Sequence, residues 1–114
     1  MFELPRSEIL RKQEFQKVYS HGKSFACRDM IVYVWHDSEY NGKVGFAAGK
    51  KLGCAVVRNK VKRIMREAYR LNKNKISRDC AIILIGRKNL VDAKLDAVEK
   101  SFLEVCKRAK ILSE

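Results

Sequence analysis

Residues 55–72, AVVRNKVKRIMREAYRLN, constrain this chain more than any other stretch. Advancing about 100° per residue, as helical geometry requires, puts Val57, Val61, Ile64, Met65, Ala68 and Leu71 in one arc. Arg58, Asn59, Lys62, Arg63, Arg66 and Arg70 fall on the opposite side. The apolar arc has to face a core, so the fold must supply a surface for this helix to lie on.

The polar side of the same helix is almost entirely of one sign. Residues 50–78 hold eleven Lys or Arg and one acid, Glu67. A merely solvated face usually mixes signs, because Glu–Lys pairs at i,i+4 stabilise a helix by about 0.3 kcal/mol and like pairs cost as much. Here like charges recur at 58, 62 and 66. The whole chain shares the bias, with 25 Lys+Arg against 13 Asp+Glu in 114 residues, a formal charge of +12. A polyanion offsets such self-repulsion, and nucleic acid fits best because each neutralised phosphate releases a counterion. An anionic membrane surface and simple solubility are the competing explanations. Lys50, Lys51 and Gly53 precede the helix and place cations and backbone N–H groups near its positive end.

The remaining chain reads as one domain, residues 1–114, of α+β class. Ser7–Tyr19 has a capping serine, an early acid and an apolar face of Leu10, Phe15, Val18 and Tyr19, and is predicted as a helix closed by a left-handed Gly22. MIVYVWH (30–36) reads as a strand. Asn41-Gly42 is a hairpin signal, so 43–49 is predicted as its antiparallel partner. CAIILIG (80–86) suits a strand buried on both faces, and residues 92–109 repeat apolar positions at helical spacing. The expected order is α-β-β-α-β-α, a small mixed sheet with helices packed on it.

Aromatics add a second signal. Phe15 and Tyr19 share a helix face; Ile31, Tyr33 and Trp35 share a strand face, with Phe46 on what is predicted to be the next strand. If the first helix flanks that face, the rings line a groove for unstacked bases; plain core packing is the alternative for each ring. Cys27, Cys54, Cys80 and Cys106 are widely spaced and include no CxxC pair, which reads as free thiols in a reducing cytosol rather than a zinc site. The opening MFELPRSEIL does not read as a secretory signal, and no apolar run approaches the ~18 residues of a membrane span. A cytoplasmic location is expected.

Residues 50–66, KKLGCAVVRNKVKRIMR, closely resemble the arginine-rich signature of the bacterial ribonuclease P protein family. EFQKVYSHG (14–22) is similar to that family's first-helix ending, and MIVYVW to its first strand. The resemblance implies a ribosomal protein S5 domain 2-like sandwich with a left-handed βαβ crossover. It further implies a non-catalytic subunit of an endoribonuclease that removes the 5′ leader from precursor tRNA, with hydrolysis and Mg²⁺ carried mainly by an RNA subunit and no organic cofactor on the protein. Lys50, Lys51, Arg58, Asn59, Lys62, Arg63 and Arg66 carry over as contacts to the catalytic RNA. Phe15, Tyr19 and Tyr33 carry over as contacts to the leader. No catalytic or metal-binding protein residue, no membrane partner and no required homo-oligomer are implied. No motif match supports carrying Trp35 or Phe46 over to the leader cleft.

Two other function classes compete. A protein nuclease would need a general base with a metal cluster or nucleophile, and His21 and His36 have no partners nearby in sequence. A structural RNA-binding protein of ribosomal type would share charge and fold class, and only the long signature and the first-helix match argue against it.

Overall fold

The computed structural model describes residues 6–36 and 39–112. The elements are α1 (Lys12–His21), β1 (Lys23–Ala26), β2 (Met30–His36), β3 (Val44–Ala48), α2 (Ala55–Asn72), β4 (Cys80–Gly86) and α3 (Leu95–Arg108). Pro5, and Asp37 and Ser38 of the expected turn, lie outside the described residues.

The apolar run CAIILIG decides the topology. A strand that is apolar on both faces is best placed inside a sheet and covered on both sides, and β4 is buried along nearly its whole length. The strand order is β1-β2-β4-β3. β2 pairs antiparallel with β4, from Met30↔Gly86 to His36↔Cys80, and β3 pairs parallel with β4, from Val44↔Ile82 to Ala48↔Gly86. The expected β2–β3 hairpin is therefore wrong: β4 sits between those strands. The Asn41-Gly42 turn does form, with Gly42 at φ 85. It crosses the start of β4 instead of closing a two-stranded ribbon, and the Gly42 N–H donates to the Cys80 carbonyl at 2.9 Å.

Alternation along the strands separates two layers. Met30, Val32 and Val34 join Val44, Ile82 and Leu84 on the face covered by α2 and α3, where Val61, Met65, Val98 and Phe102 complete the main core. Tyr69 joins Phe46 and Phe102 edge-on, with centroids about 6 Å apart in each pair. On the other face, Leu10 and Val18 cover Ala81 and Ile83, flanked by Phe15, Tyr33 and Trp35. Phe15 lies close over β3 because position 45 is glycine: a Cβ there would stand 2.7 Å from the ring.

Several local expectations shift. The first helix starts at Lys12, not Ser7, because Ile9 bridges to Val44 and the Leu10 N–H bonds the Val44 carbonyl, which holds those residues extended beside β3. Glu14 rather than Ser7 takes up a free amide at its start, accepting from the Arg11 N–H at 2.8 Å. Gly22 is extended, φ −77, and leads straight into β1; its glycine is needed because a Cβ would lie 2.8 Å from the Val18 carbonyl. β1 itself, KSFA, is an element the sequence pattern did not reveal, since an edge strand with three exposed residues shows no alternating run. In α2 the bounds match, but the buried arc is rotated by roughly 60°: Tyr69 and Asn72 are buried while Leu71 is 47% exposed. Asn72 is satisfied by donating to the Ala68 carbonyl and to Glu99.

Two outcomes follow from this packing. Gly45→Ala should lower stability by about 1–3 kcal/mol through overpacking against Phe15, read as a fall in the urea midpoint. Burial pushes Cys106 and Tyr69 up to about 12 and Cys80 up to about 11. These raised values mean that stability is fully present at neutral pH and is lost as pH climbs from about 9 towards 12, because the unfolded chain releases protons that the native state retains. Urea midpoints measured from pH 7 to 10.5 should fall, and Cys106→Ala should flatten the fall.

Candidate nucleic-acid interface

The outward side of α2 is the first surface. Asn59, Arg63 and Arg66 are exposed, whereas Arg58 and Lys62 are half-buried on the flank of the core arc. Arg66 is held by packing: its guanidinium carbon lies 5.7 Å from the Phe46 ring centroid, a cation–π contact. Phe46 thereby serves the α2 side of the sheet, which answers whether it lines the groove. The acid on this helix, Glu67, is engaged by Arg70, and that ion pair holds the Glu67 carboxyl below the usual range.

Lys50 and Lys51 sit exposed on a single 3₁₀ turn just before α2. Gly53, at φ 140, makes the bend from that turn into the helix, a conformation side-chain-bearing residues rarely adopt. Cys54 then occupies the N-cap position of α2 without a side-chain cap hydrogen bond, and the nearby backbone amides of Val57 and Val56 draw its thiol below the ordinary value. The helix start thus favours negative charge. All four cysteines are free; Cys80 and Cys106 are buried, Cys27 is half-buried and Cys54 is exposed.

The second surface is the groove beside α1. Tyr19, 50% exposed, and the half-buried Tyr33 meet with ring centroids 4.7 Å apart and planes tilted by 34°. Phe15 and Tyr19, one turn apart, border a hollow with Gln16 and Ser20. The neighbouring Tyr19 hydroxyl is the chief reason that Tyr33 ionises above its ordinary value, with burial second. The three rings expected to act together are therefore together. Trp35 shares this face, but it lies under His21, stacked at 4.8 Å and 14°, and meets Tyr40 edge-on.

Parallel pairing adds cations that local patterning could not assign. β3 and β4 run the same way, so the residues that follow them, Lys50 and Lys51 after β3 and Arg87 and Lys88 after β4, emerge at the same end of the sheet. Arg28, just before antiparallel β2, emerges there too, and Asn89 binds its carbonyl. The only sequence signal for Arg87 and Lys88 is their position straight after an apolar strand.

The sheet also gives His36 neighbours that sequence distance concealed. It faces Cys80 across the ladder, and its Nδ1 lies 3.8 Å from Asp79. The donor atoms of His36, Asp79 and Cys80 lie within 4.8 Å of one another. The Cys80 thiol, however, donates to the Ser77 carbonyl, and burial pushes it up to about 11, so it is a poor nucleophile at neutral pH.

A helix whose outward charges are nearly all positive, a paired-tyrosine groove and cations shared by the strand ends define a small α+β protein whose surface suits a polyanion with stackable rings. Comparison with known proteins names the group. The sequence profile of the Ribonuclease P family matches residues 4–110. The ribonuclease P protein component of Alkaliphilus metalliredigens is 36% identical over 108 residues, covering 94% of this chain and 96% of that protein. That of Clostridioides difficile is 39% identical, covering 93% and 95%. The solved structure of the Staphylococcus aureus RNase P protein superposes with a TM-score of 0.79 at 33% identity, covering 93% of this chain and 98% of that one. The Thermotoga maritima RNase P protein gives 0.77 at 30% identity, covering 89% and 96%. This chain belongs to the ribonuclease P protein family.

The tyrosine pair can be tested directly. In Tyr19→Phe, Tyr33 should titrate closer to 10, because the hydroxyl partner that favours its protonated form is gone; NMR of ring-labelled tyrosine over pH reads this out.

Proposed function

We propose that this chain is the protein subunit that makes a ribonuclease P catalytic RNA effective on precursor tRNA, contacting both RNAs in the cytoplasm. Membership of the family supports a role in tRNA 5′ maturation. The observation that carries the finer reading is the close Tyr19–Tyr33 ring pair in a groove on the sheet face opposite the cationic helix α2. Lys50, Lys51, Arg58, Asn59, Lys62, Arg63 and Arg66 take the phosphates of the catalytic RNA. Phe15, Tyr19 and Tyr33 take unstacked bases of the single-stranded leader, each worth roughly 1–3 kcal/mol. Arg87 and Lys88, at the shared strand end, extend the cationic surface from α2 around the sheet.

Mg²⁺ prefers several hard oxygen ligands. The solvent side of α2 offers one carboxylate, Glu67, already paired with Arg70, and Phe15, Tyr19 and Tyr33 offer none. The protein surfaces in this reading therefore do not fit a Mg²⁺ cage, and the ion and the hydrolysis it supports are assigned to RNA. What the side chains do is bind and orient. Cations offset repulsion between two RNAs, and the groove favours precursor over mature tRNA because only the precursor carries a leader. By linkage, loss of the leader on cleavage weakens product binding.

Cleavage of a precursor tRNA at low Mg²⁺ should require RNA and protein together, with neither sufficient alone. Tyr33→Ala should weaken precursor binding by about 5–50-fold, the equivalent of ~1–2.3 kcal/mol, and leave mature tRNA binding unchanged. Arg63→Ala with Arg66→Ala should reduce the slope of log K against log salt for catalytic-RNA binding by about two. Binding without stimulation of cleavage would point instead to a structural RNA-binding role.

A further inference from the structure

At the opposite end of β2 from Arg28, near His36, a second hollow of about 460 Å³ is lined by His21, Lys23, Trp35, Arg108 and Lys110 above Phe25 and Val34. None of its lining residues is acidic. Lys23 and Lys110 make no ion pair with a described residue. Arg108 is anchored through one guanidinium nitrogen to the Ala26 carbonyl, a partner that leaves its charge uncompensated.

Two features make this more than another basic patch. His21 is stacked on Trp35, and its Nδ1–H donates to the Lys17 carbonyl at 2.9 Å. The imidazole is thus held as an exposed ring with one face covered, a platform whose orientation is set before anything binds. Lys110, which follows the C-cap residue Ala109 of α3, has φ 60. Glycine or asparagine usually takes this left-handed position, and here a strained lysine occupies it and lines the hollow.

We propose that this hollow is a second subsite for single-stranded RNA, distinct from the Phe15–Tyr19–Tyr33 groove. It takes one unpaired nucleotide, with the base stacked on the open face of His21 and the phosphate held by Lys23, Arg108 and Lys110. A ring platform beside three cations matches a nucleotide, which offers both a π-face and a phosphate. A lipid headgroup has no flat ring to use the platform. The proposal rests on the RNA-binding reading above.

Trp35 is the only tryptophan in the chain, so its emission reports on this hollow. The full chain is titrated with an unstructured pentauridylate, and a labelled copy of the same oligonucleotide reports total binding by anisotropy. Trp35 emission should be quenched saturably, and the quench should persist in Tyr19→Ala. His21→Leu and the pair Lys23→Ala with Lys110→Ala should each raise the half-quenching concentration at least fivefold. Lys110→Gly should leave Tm unchanged or raise it, by relieving the backbone, while still weakening the quench; a purely structural lysine would not separate the two. If anisotropy reports binding and Trp35 emission does not move, this subsite is overturned and the RNA-binding reading stands. If inorganic phosphate at equal concentration reproduces the quench, the hollow is a simple anion site and the proposal fails. If the oligonucleotide does not bind at all, the RNA-binding reading falls and takes the subsite with it.

Discussion

Two-sided burial of β4 is the constraint on which the rest of this structure depends. Its run of Ala81, Ile82, Ile83 and Leu84 is withdrawn from water on both faces, which is possible only with a strand on each side and helices above and below. That requirement pulls β4 between β2 and β3 and assigns α2 and α3 to one face and α1 to the other. Odd and even residues of β2 then serve different purposes: Val32 and Val34 fill the main core, while Tyr33 and Trp35 stand beside α1.

The functional surfaces inherit their placement from this sandwich. α2 lies on the sheet through Val61, Met65, Ala68 and Tyr69, so its like-charged residues are left outside. Small residues in the second layer matter as much as the large ones. Gly45 lets Phe15 approach β3, and Gly22 lets the chain pass close to the carbonyls of Val18 and Val34 on its way into β1. Gly86 does the same on the α2 side, where a Cβ would stand 2.5 Å from a Val61 methyl. The groove and the helix are both set by how closely backbone can come to side chain.

Electrostatics separates the interior from the surface. Asn72, the one polar residue among the described residues that is buried, is hydrogen-bonded, and the buried thiols and Tyr69 are kept in their neutral forms. Three of the thirteen acids are tied up in ion pairs with lysine or arginine: Glu14 with Lys43, Glu8 with Lys73, and Glu67 with Arg70 towards the end of α2. Glu67 is the one acid on α2, so the earlier turns of that helix carry only positive side-chain charge.

Much was legible in the sequence because it is encoded locally. The bounds of α2, β2 and β4 follow from periodicity and residue type within each segment, and the one-signed helix face from simple helical projection. The pairing of Tyr19 with Tyr33 was legible only through a family resemblance, since helix and strand periodicity place each on a face without saying that the faces meet. What the sequence alone could not decide was long-range. The Asn41-Gly42 turn favours a local hairpin, and only the burial demand of a strand forty residues later displaces it. Edge strand β1 carries no periodic signal of its own. The gathering of Lys50, Arg87 and Arg28 at one sheet end, and of His21, Trp35 and Lys110 at the other, depends on strand order and direction. Local chemistry determined which residues could bind a polyanion; tertiary pairing decided which of them act together, because segments far apart in the chain meet only through the sheet.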